Sequence, residues 1–291
     1  MNAVGITPPP ADRPTGPSTS AQDVGAPAAH RQVVGVIPAR YGSTRLPAKA
    51  LALIHGTPLI QHVYEQARQA RRLSEVLVAT DDERIMQAVA KFGGRAVMTS
   101  PAHRSGTDRV AEAARALEAQ VIINIQGDEP LIHPEPIDQV AEFLLAHRAV
   151  PMATAITRLA SAEDLGNPNV VKVVVDQDGY ALYFSRAPIP HFRQETRDQR
   201  PETQQSHVSS LMSHVYWKHL GLYGYQREFL LRFPHLPQTA LEQAEQLEQL
   251  RALEHGYKIA VLETAHDTLS VDTAEDLKRV EQLLAGSGKR A

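Results

Sequence analysis

Apolar positions along this chain alternate between two periods. Val33-Val34-Gly35-Val36-Ile37 is a short continuous apolar run closed by Pro38, the pattern of a buried strand. Leu59, Ile60, Val63 and Ala67 then recur at helical spacing, which predicts a helix near 58–72. The exchange repeats down the chain: a strand over 75–80, a helix over 82–92 stopped by Gly93-Gly94, and a short strand over 95–98. A helix over 107–117, a strand over 121–125 and a helix near 134–147 follow. Such alternation predicts βαβ units, hence an α/β fold whose mainly parallel sheet carries helices on both faces.

Past Pro151 the pattern changes. The β-rich runs 170–175 and 180–185 are joined by Asp176-Gln177-Asp178-Gly179, the composition of a hairpin turn, and a further strand is expected at 219–225. This antiparallel character predicts a smaller α+β domain at 151–236, inserted into a main domain made of 32–150 and 237–286. The polar stretch 194–210 reads as a mobile loop. A helix over 239–255, a strand over 257–263 and a last helix over 273–284 return the chain to α/β. Residues 1–31, rich in Pro, Ala, Ser and Thr, bury too little apolar surface to offset their ordering entropy. They read as a disordered extension, or as translation started upstream of the folded chain.

Composition narrows the classes. With 43% hydrophobic residues the 291-residue chain can build a sizeable core. A net charge of −3 argues against a general nucleic-acid surface, yet leaves room for a local basic pocket. Having no cysteine excludes disulfides, a thiolate nucleophile and Cys-ligated zinc. No apolar run approaches the ~20 residues of a membrane span, and the N-terminus lacks the basic-then-apolar order of a secretory signal. A cytoplasmic location is the expectation, with neither nucleic acid nor membrane as partner.

Candidate chemistry gathers where an open α/β sheet binds ligands, at the carboxyl ends of its strands. The first strand runs into Pro38-Ala39-Arg40-Tyr41-Gly42-Ser43-Thr44-Arg45-Leu46-Pro47-Ala48-Lys49. Cations, hydroxyls and a glycine in so short a loop are the parts that hold a polyphosphate. The loop is neither G-x-G-x-x-G nor a Walker A motif, so a nicotinamide-dependent dehydrogenase and a P-loop enzyme are both unsupported. The fourth strand ends in Gln126-Gly127-Asp128-Glu129-Pro130, which offers Asp128 to a hard cation or, read from spacing alone, to a turn or helix cap. Asp272, in Leu269-Ser270-Val271-Asp272-Thr273-Ala274-Glu275-Asp276-Leu277, reads from spacing alone as part of the cap of the last helix.

The stretch from Ile37 to Lys49 resembles the N-terminal signature of the CMP-sugar synthetases, most closely those that use 3-deoxy-manno-octulosonate (KDO). Gln-Gly-Asp-Glu-Pro at 126–130 and Val-Asp-Thr-x-Glu-Asp-Leu at 271–277 resemble the same family, and similarity runs from Val33 to about Leu284. CMP-sialate synthetases usually lack the Asp-Glu pair of the first motif; an amino variant of KDO stays open as the acceptor. The resemblance implies a Rossmann-like nucleotidyltransferase fold, CTP and KDO as substrates, CMP-KDO and pyrophosphate as products, Mg2+ as cofactor and a homodimer serving lipopolysaccharide synthesis. It implies that Arg40, Ser43, Arg45 and Lys49 hold the triphosphate, with Arg45 and Lys49 stabilising the phosphates during transfer. Asp128 and Asp272 are implied as Mg2+ ligands, Asp128 with a catalytic role. The cytosine loop is implied at Ala102, Ser105, Gly106 and Thr107, with Gln126 between nucleotide and sugar; Arg109 is a weaker candidate. Arg186, at a strand end, is expected to take the KDO carboxylate through its paired N–H donors, and His219, Tyr223, Glu248 and Gln249 to face the sugar. Where the family usually has Gly before the lysine and Pro after it, this chain has Ala48 and Ala50, which leaves the charges intact and bears on loop flexibility.

Overall fold

The computed structural model describes residues 32–43, 45–159, 161–191 and 216–287. The stretches 1–31 and 194–210, read above as disordered and as a mobile loop, lie outside the described residues.

Among these residues one nine-stranded sheet organises the chain. Its parallel half comprises β1 (Val33–Ala39), β4 (Glu75–Thr80), β5 (Ala96–Met98) and β6 (Val121–Asn124). The other half comprises β7 (Met152–Arg158), β10 (Trp217–Gln226) and β11 (Ile259–Glu263), in the spatial order β11-β7-β10-β6-β1-β4-β5. Along this path only β10 runs against its neighbours. A hairpin of β8 (Lys172–Val175) and β9 (Ala181–Ser185) hangs from β10. A separate two-stranded hairpin, β2 (Leu53–Ile54) and β3 (Thr57–Pro58), leads into the first helix.

The helices α1 (Leu59–Ala67), α2 (Glu83–Lys91), α4 (Pro134–Ala146) and α9 (Ala274–Ser287) pack on one face of the sheet. On the other lie α3 (Gly106–Arg115), α6 (Arg227–Arg232) and α8 (Gln249–Glu254). Two short helices, α5 (Ala162–Gly166) and α7 (Ala240–Glu245), sit in connections. Strand alternation divides the core: Val33 and Ile37 of β1 join one apolar cluster and Val34 and Val36 the other. That is why β1 reads as a continuous apolar run. Caps fix the helix starts at the sheet edge: Asp82 accepts from Arg84 N–H at 2.9 Å before α2, and Ser105 from Asp108 N–H at 3.1 Å before α3.

Two expectations need correction. The segment 151–236 does not stand apart, because β7 and β10 lie inside the main sheet, between β6 and β11. β7, Met-Ala-Thr-Ala-Ile-Thr-Arg, carries no strand signal in the sequence because Ala and Thr give no apolar alternation; its Thr154 is nevertheless fully buried. The single helix expected over 239–255 is two helices, broken where Gln246 adopts a left-handed conformation, φ 54°. Arg251 of α8 pairs with Glu242 of α7 across the break, both side chains being under one-tenth exposed.

Candidate active site

β1 delivers the basic loop to the sheet edge, and the loop ends in one turn of 3-10 helix, Lys49–Leu51. The turn closes through Leu51 N–H donating to the Ala48 carbonyl at 2.8 Å, and it buries Ala50. Lys49 is thereby turned into the cleft, where its Nζ donates to Asp128 Oδ2 at 2.6 Å and to Asp272 Oδ1 at 3.0 Å. Arg45 Nη2 lies 3.0 Å from the same Asp272 oxygen. The two carboxylates are thus no more than two hydrogen-bond lengths apart. Burial alone would lower the pKa of the Lys49 ammonium; the charges and hydrogen bonds of the two aspartates outweigh it and raise that pKa above its ordinary value.

Backbone geometry brings these carboxylates together. Val271 N–H donates to the Asp128 carbonyl at 2.8 Å, pinning the segment before α9 to the loop after β6. Gly127 lets that loop lie on the end of β1, since a Cβ there would stand 2.6 Å from the Pro38 carbonyl oxygen. Capping of α9 falls to its neighbours: Asp276 accepts from the N–H groups of Asp272 (3.1 Å) and Thr273 (2.9 Å), while Thr273 Oγ1 accepts from Asp276 N–H (3.2 Å). The cap reading of this motif therefore holds for Thr273 and Asp276, and the Asp272 carboxylate is left for Lys49 and Arg45.

Two cavities meet at this point. The narrower, about 340 Å³, is lined by Arg40, Ser43, Arg45, Lys49, Ser105, Gly106, Gln126, Asp128 and Asp272 among others. The wider, about 800 Å³, takes in Thr107, Gln126, His219, Tyr223, Glu248 and Gln249. Arg45, Gly106, Gln126 and Asp272 line both. Arg109 also reaches the narrower one, but its guanidinium is buried and committed, Nη1 to Thr99 Oγ1 at 2.5 Å and Nη2 to Asp81 Oδ2 at 2.7 Å. It braces the loop before α3.

On the wider side, the Thr154 hydroxyl donates to the Leu222 carbonyl at 2.7 Å, so it accepts from His219 Nε2–H at 2.9 Å. The assignment leaves His219 Nδ1 as an acceptor. Burial pushes the imidazole down to about 3, so it is neutral at pH 7. Burial likewise holds the Tyr223 phenol well above its ordinary value, as a donor. Burial and then the charge of Asp128 raise Glu129 to about 8. Gln249 Nε2 is buried without a hydrogen-bond partner among the described residues. Gly221 admits close approach: a Cβ would stand 2.7 Å from Glu129 Oε1 and 3.0 Å from Gln126 Cγ.

Three expectations part from the geometry. Arg186 lines neither cavity; its guanidinium donates to the carbonyls of Glu245 (2.7 Å), Pro168 (3.0 Å) and Gln246 (3.3 Å). Ala102 is exposed and lines neither cavity, and its N–H donates to Ser100 Oγ at 3.2 Å. Thr107 turns from the narrower cavity toward the wider, donating to Glu248 Oε2 at 2.6 Å. Lys218, which no motif marks, also walls the wider cavity and is ion-paired to Asp267 at 2.7 Å. A lone lysine next to His219 belongs to no motif or spacing pattern, so nothing in the sequence singles it out.

An open α/β sheet with a cation-rich loop after β1 and convergent aspartates beside it defines a nucleotidyltransferase. The cytidylyltransferase family model matches residues 34–259. The 3-deoxy-manno-octulosonate cytidylyltransferase of Geobacter sulfurreducens is 53% identical over 252 residues, 87% of this chain and 99% of that protein. The enzyme of the same name from Geotalea daltonii is 51% identical over 257 residues, 88% of this chain and 100% of that protein. A solved CMP:2-keto-3-deoxy-manno-octonic acid synthetase complexed with CTP superposes with a TM-score of 0.77 at 44% identity, covering 88% of this chain and 99% of the other. A 4-diphosphocytidyl-2C-methyl-D-erythritol synthase from Anaerococcus prevotii shares the fold, with a TM-score of 0.54 at 12% identity. The chain belongs to the 3-deoxy-manno-octulosonate cytidylyltransferase family.

Proposed function

We propose that this chain transfers CMP from CTP to the 2-hydroxyl of 3-deoxy-D-manno-octulosonate, releasing pyrophosphate. The observation that carries the reading is the meeting of a cation-lined cavity and a hydroxyl-reading cavity at Arg45, Gly106, Gln126 and Asp272. A triphosphate in the first presents its α-phosphorus at that junction to a hydroxyl held in the second. The new P–O bond forms there as the bond to the β-phosphate breaks.

Such chemistry needs alignment and charge neutralisation more than a protein nucleophile. Arg40, Ser43, Arg45 and Lys49 supply the positive and hydroxyl groups for the phosphates. His219 Nδ1 accepts from the sugar, the Tyr223 phenol and Gln249 Nε2 donate to it, and Glu248 accepts. Asp128 and Asp272 suit Mg2+, because two hard carboxylates already converge within reach of one ammonium. Bound there, Mg2+ would neutralise charge at the α-phosphate and acidify the attacking hydroxyl. The proposal extends to a cytoplasmic enzyme, consistent with no helix among the described residues being long and apolar enough to cross a membrane. It extends also to a homodimer, for which β9 offers an edge: among the described residues its only strand partner is β8, and Leu182 on it is 60% exposed.

Pyrophosphate release from CTP and Mg2+, compared between KDO and sialate, tests the reading. Turnover with KDO and not with sialate is expected; turnover with neither overturns it.

A further inference from the structure

A second convergence of ligating side chains lies outside both cavities. His133 caps α4, and Glu135 stands in that helix's first turn. His266 belongs to the segment that leads from β11 to Asp272. His266 Nε2 lies 2.8 Å from Glu135 Oε2, and the His133 and His266 rings stack at 3.5 Å between centroids with planes 6° apart. One ligand atom from each of the three lies within 4.8 Å of the others. All are reachable from solvent: His133 and His266 are partly exposed and Glu135 is exposed.

We propose that His133, Glu135 and His266 form a site for a borderline divalent transition-metal ion such as Zn2+, Co2+ or Ni2+, one that ties the start of α4 to the segment preceding Asp272. Two imidazoles with one carboxylate are a recurrent protein ligand set for Zn2+, which completes its coordination with water. Imidazole donors select such ions over Mg2+, which prefers oxygen. The His266 Nε2 to Glu135 Oε2 contact has the separation of two ligands on adjacent coordination positions, so the ion would take the place of the shared proton. Burial, then the neighbouring His266, lowers the pKa of His133, which favours the neutral, ligating imidazole. The parallel rings must unstack, so that both lone pairs aim at one point. His133 Nδ1 now accepts from Glu135 N–H at 3.2 Å, a long and exposed bond whose release is a small cost. The placement gives the ion a consequence. Asp128 lies in the loop before His133 and Asp272 in the segment after His266, so a cation clamps the same two chain segments that the Val271–Asp128 hydrogen bond joins.

The test is titration of the untagged full-length protein with Co2+, read by visible absorption, and with Zn2+, read by calorimetry. His133→Asn keeps a capping side chain on α4 while removing the imidazole, and His266→Gln and Glu135→Gln are partly or wholly exposed changes. An Asp128→Asn/Asp272→Asn protein removes the other carboxylate pair. One equivalent of Co2+ is expected to bind the wild type and the double Asp variant alike and to resist excess Mg2+. Each His variant should weaken it by about tenfold or more. Zn2+ should raise the melting temperature of the wild type and not that of His266→Gln. Binding that is equal in the wild type and both His variants, with metal-free melting temperatures unchanged, overturns the proposal.

Discussion

The backbone N–H of Val271 donates to the carbonyl of Asp128 at 2.8 Å, and this bond between distant parts of the chain sets Asp272 beside Asp128. A strand-end loop and a helix-leading segment are thereby held as one surface, with the Lys49 ammonium between their carboxylates. Replacing either carboxylate by its amide should leave that backbone bond in place. Asp128→Asn and Asp272→Asn are expected to keep wild-type circular dichroism while turnover falls by about a hundredfold or more. Because both act at one point, the double variant should be little worse than either single change. Pyrophosphate release on the three proteins is the measurement. Wild-type turnover by Asp128→Asn would remove the cation site from the reading.

The bond from Thr107 Oγ1 to Glu248 Oε2, 2.6 Å long, joins the first turn of α3 to the residue that precedes α8. Thr107 is buried, so Thr107→Val leaves a part-buried carboxylate without its donor at nearly constant volume. The expected result is a KM for the sugar raised about tenfold, with the KM for CTP changed far less, and Thr107→Ser restoring most of the loss. A rise confined to CTP would return Thr107 to the nucleotide side.

The parts of this molecule legible in the sequence are those where one local pattern has one structural meaning. Val33 to Ile37 is apolar on both faces because both faces are covered. The basic loop and Asp128 follow strands, and strand ends in such a sheet face the ligand. Other features depended on partners far along the chain. β7 is held by β10 and β11, which no periodicity within Met152–Arg158 reveals. Asp272 has the spacing of a cap, but Asp276 and Thr273 do the capping, which only their hydrogen bonds reveal. Glu245, Glu248 and Gln249 share a face on an unbroken helix, but the left-handed Gln246 separates them. Glu245 instead accepts from Ser185 Oγ at 2.6 Å and Arg186 N–H at 2.9 Å.

Arg186 is spent on three backbone carbonyls that belong to the turn before β8 and to the end of α7. Removing the guanidinium should therefore cost stability rather than sugar affinity. Arg186→Gln is expected to lower stability by about 1–3 kcal/mol, seen as a lower urea midpoint, with the KM for the sugar within a factor of about two. A large KM effect at unchanged stability would restore the carboxylate-binding role.

Ala48 adopts φ 53°, a left-handed conformation that an L side chain resists and glycine does not. Ala48→Gly should relieve that strain at the foot of the Lys49 turn. A gain of about 0.5–1 kcal/mol is expected, net of the extra chain entropy glycine brings to the unfolded state. A melting temperature higher by a few degrees, at unchanged turnover, is the check. A lower one would mean that loop freedom outweighs the strain.

His219 offers a pH test that needs no substrate. Its imidazole is buried against Thr154, Phe184 and Tyr223, and burial depresses its pKa to about 3, against the ordinary value near 6.5. A depressed folded-state value means that the unfolded chain takes up the proton first on acidification. The stability associated with the neutral ring is complete above about pH 6.5 and is lost progressively toward pH 3, with a limiting slope of about 1.4 kcal/mol per pH unit. His219→Gln has no proton to gain, so the wild type should lose stability relative to this variant as pH falls from 7 to 5. Urea midpoints of the two proteins across that range make the comparison. Parallel curves would show that the ring is solvated enough to titrate normally, and would withdraw Nδ1 as a neutral acceptor for the sugar.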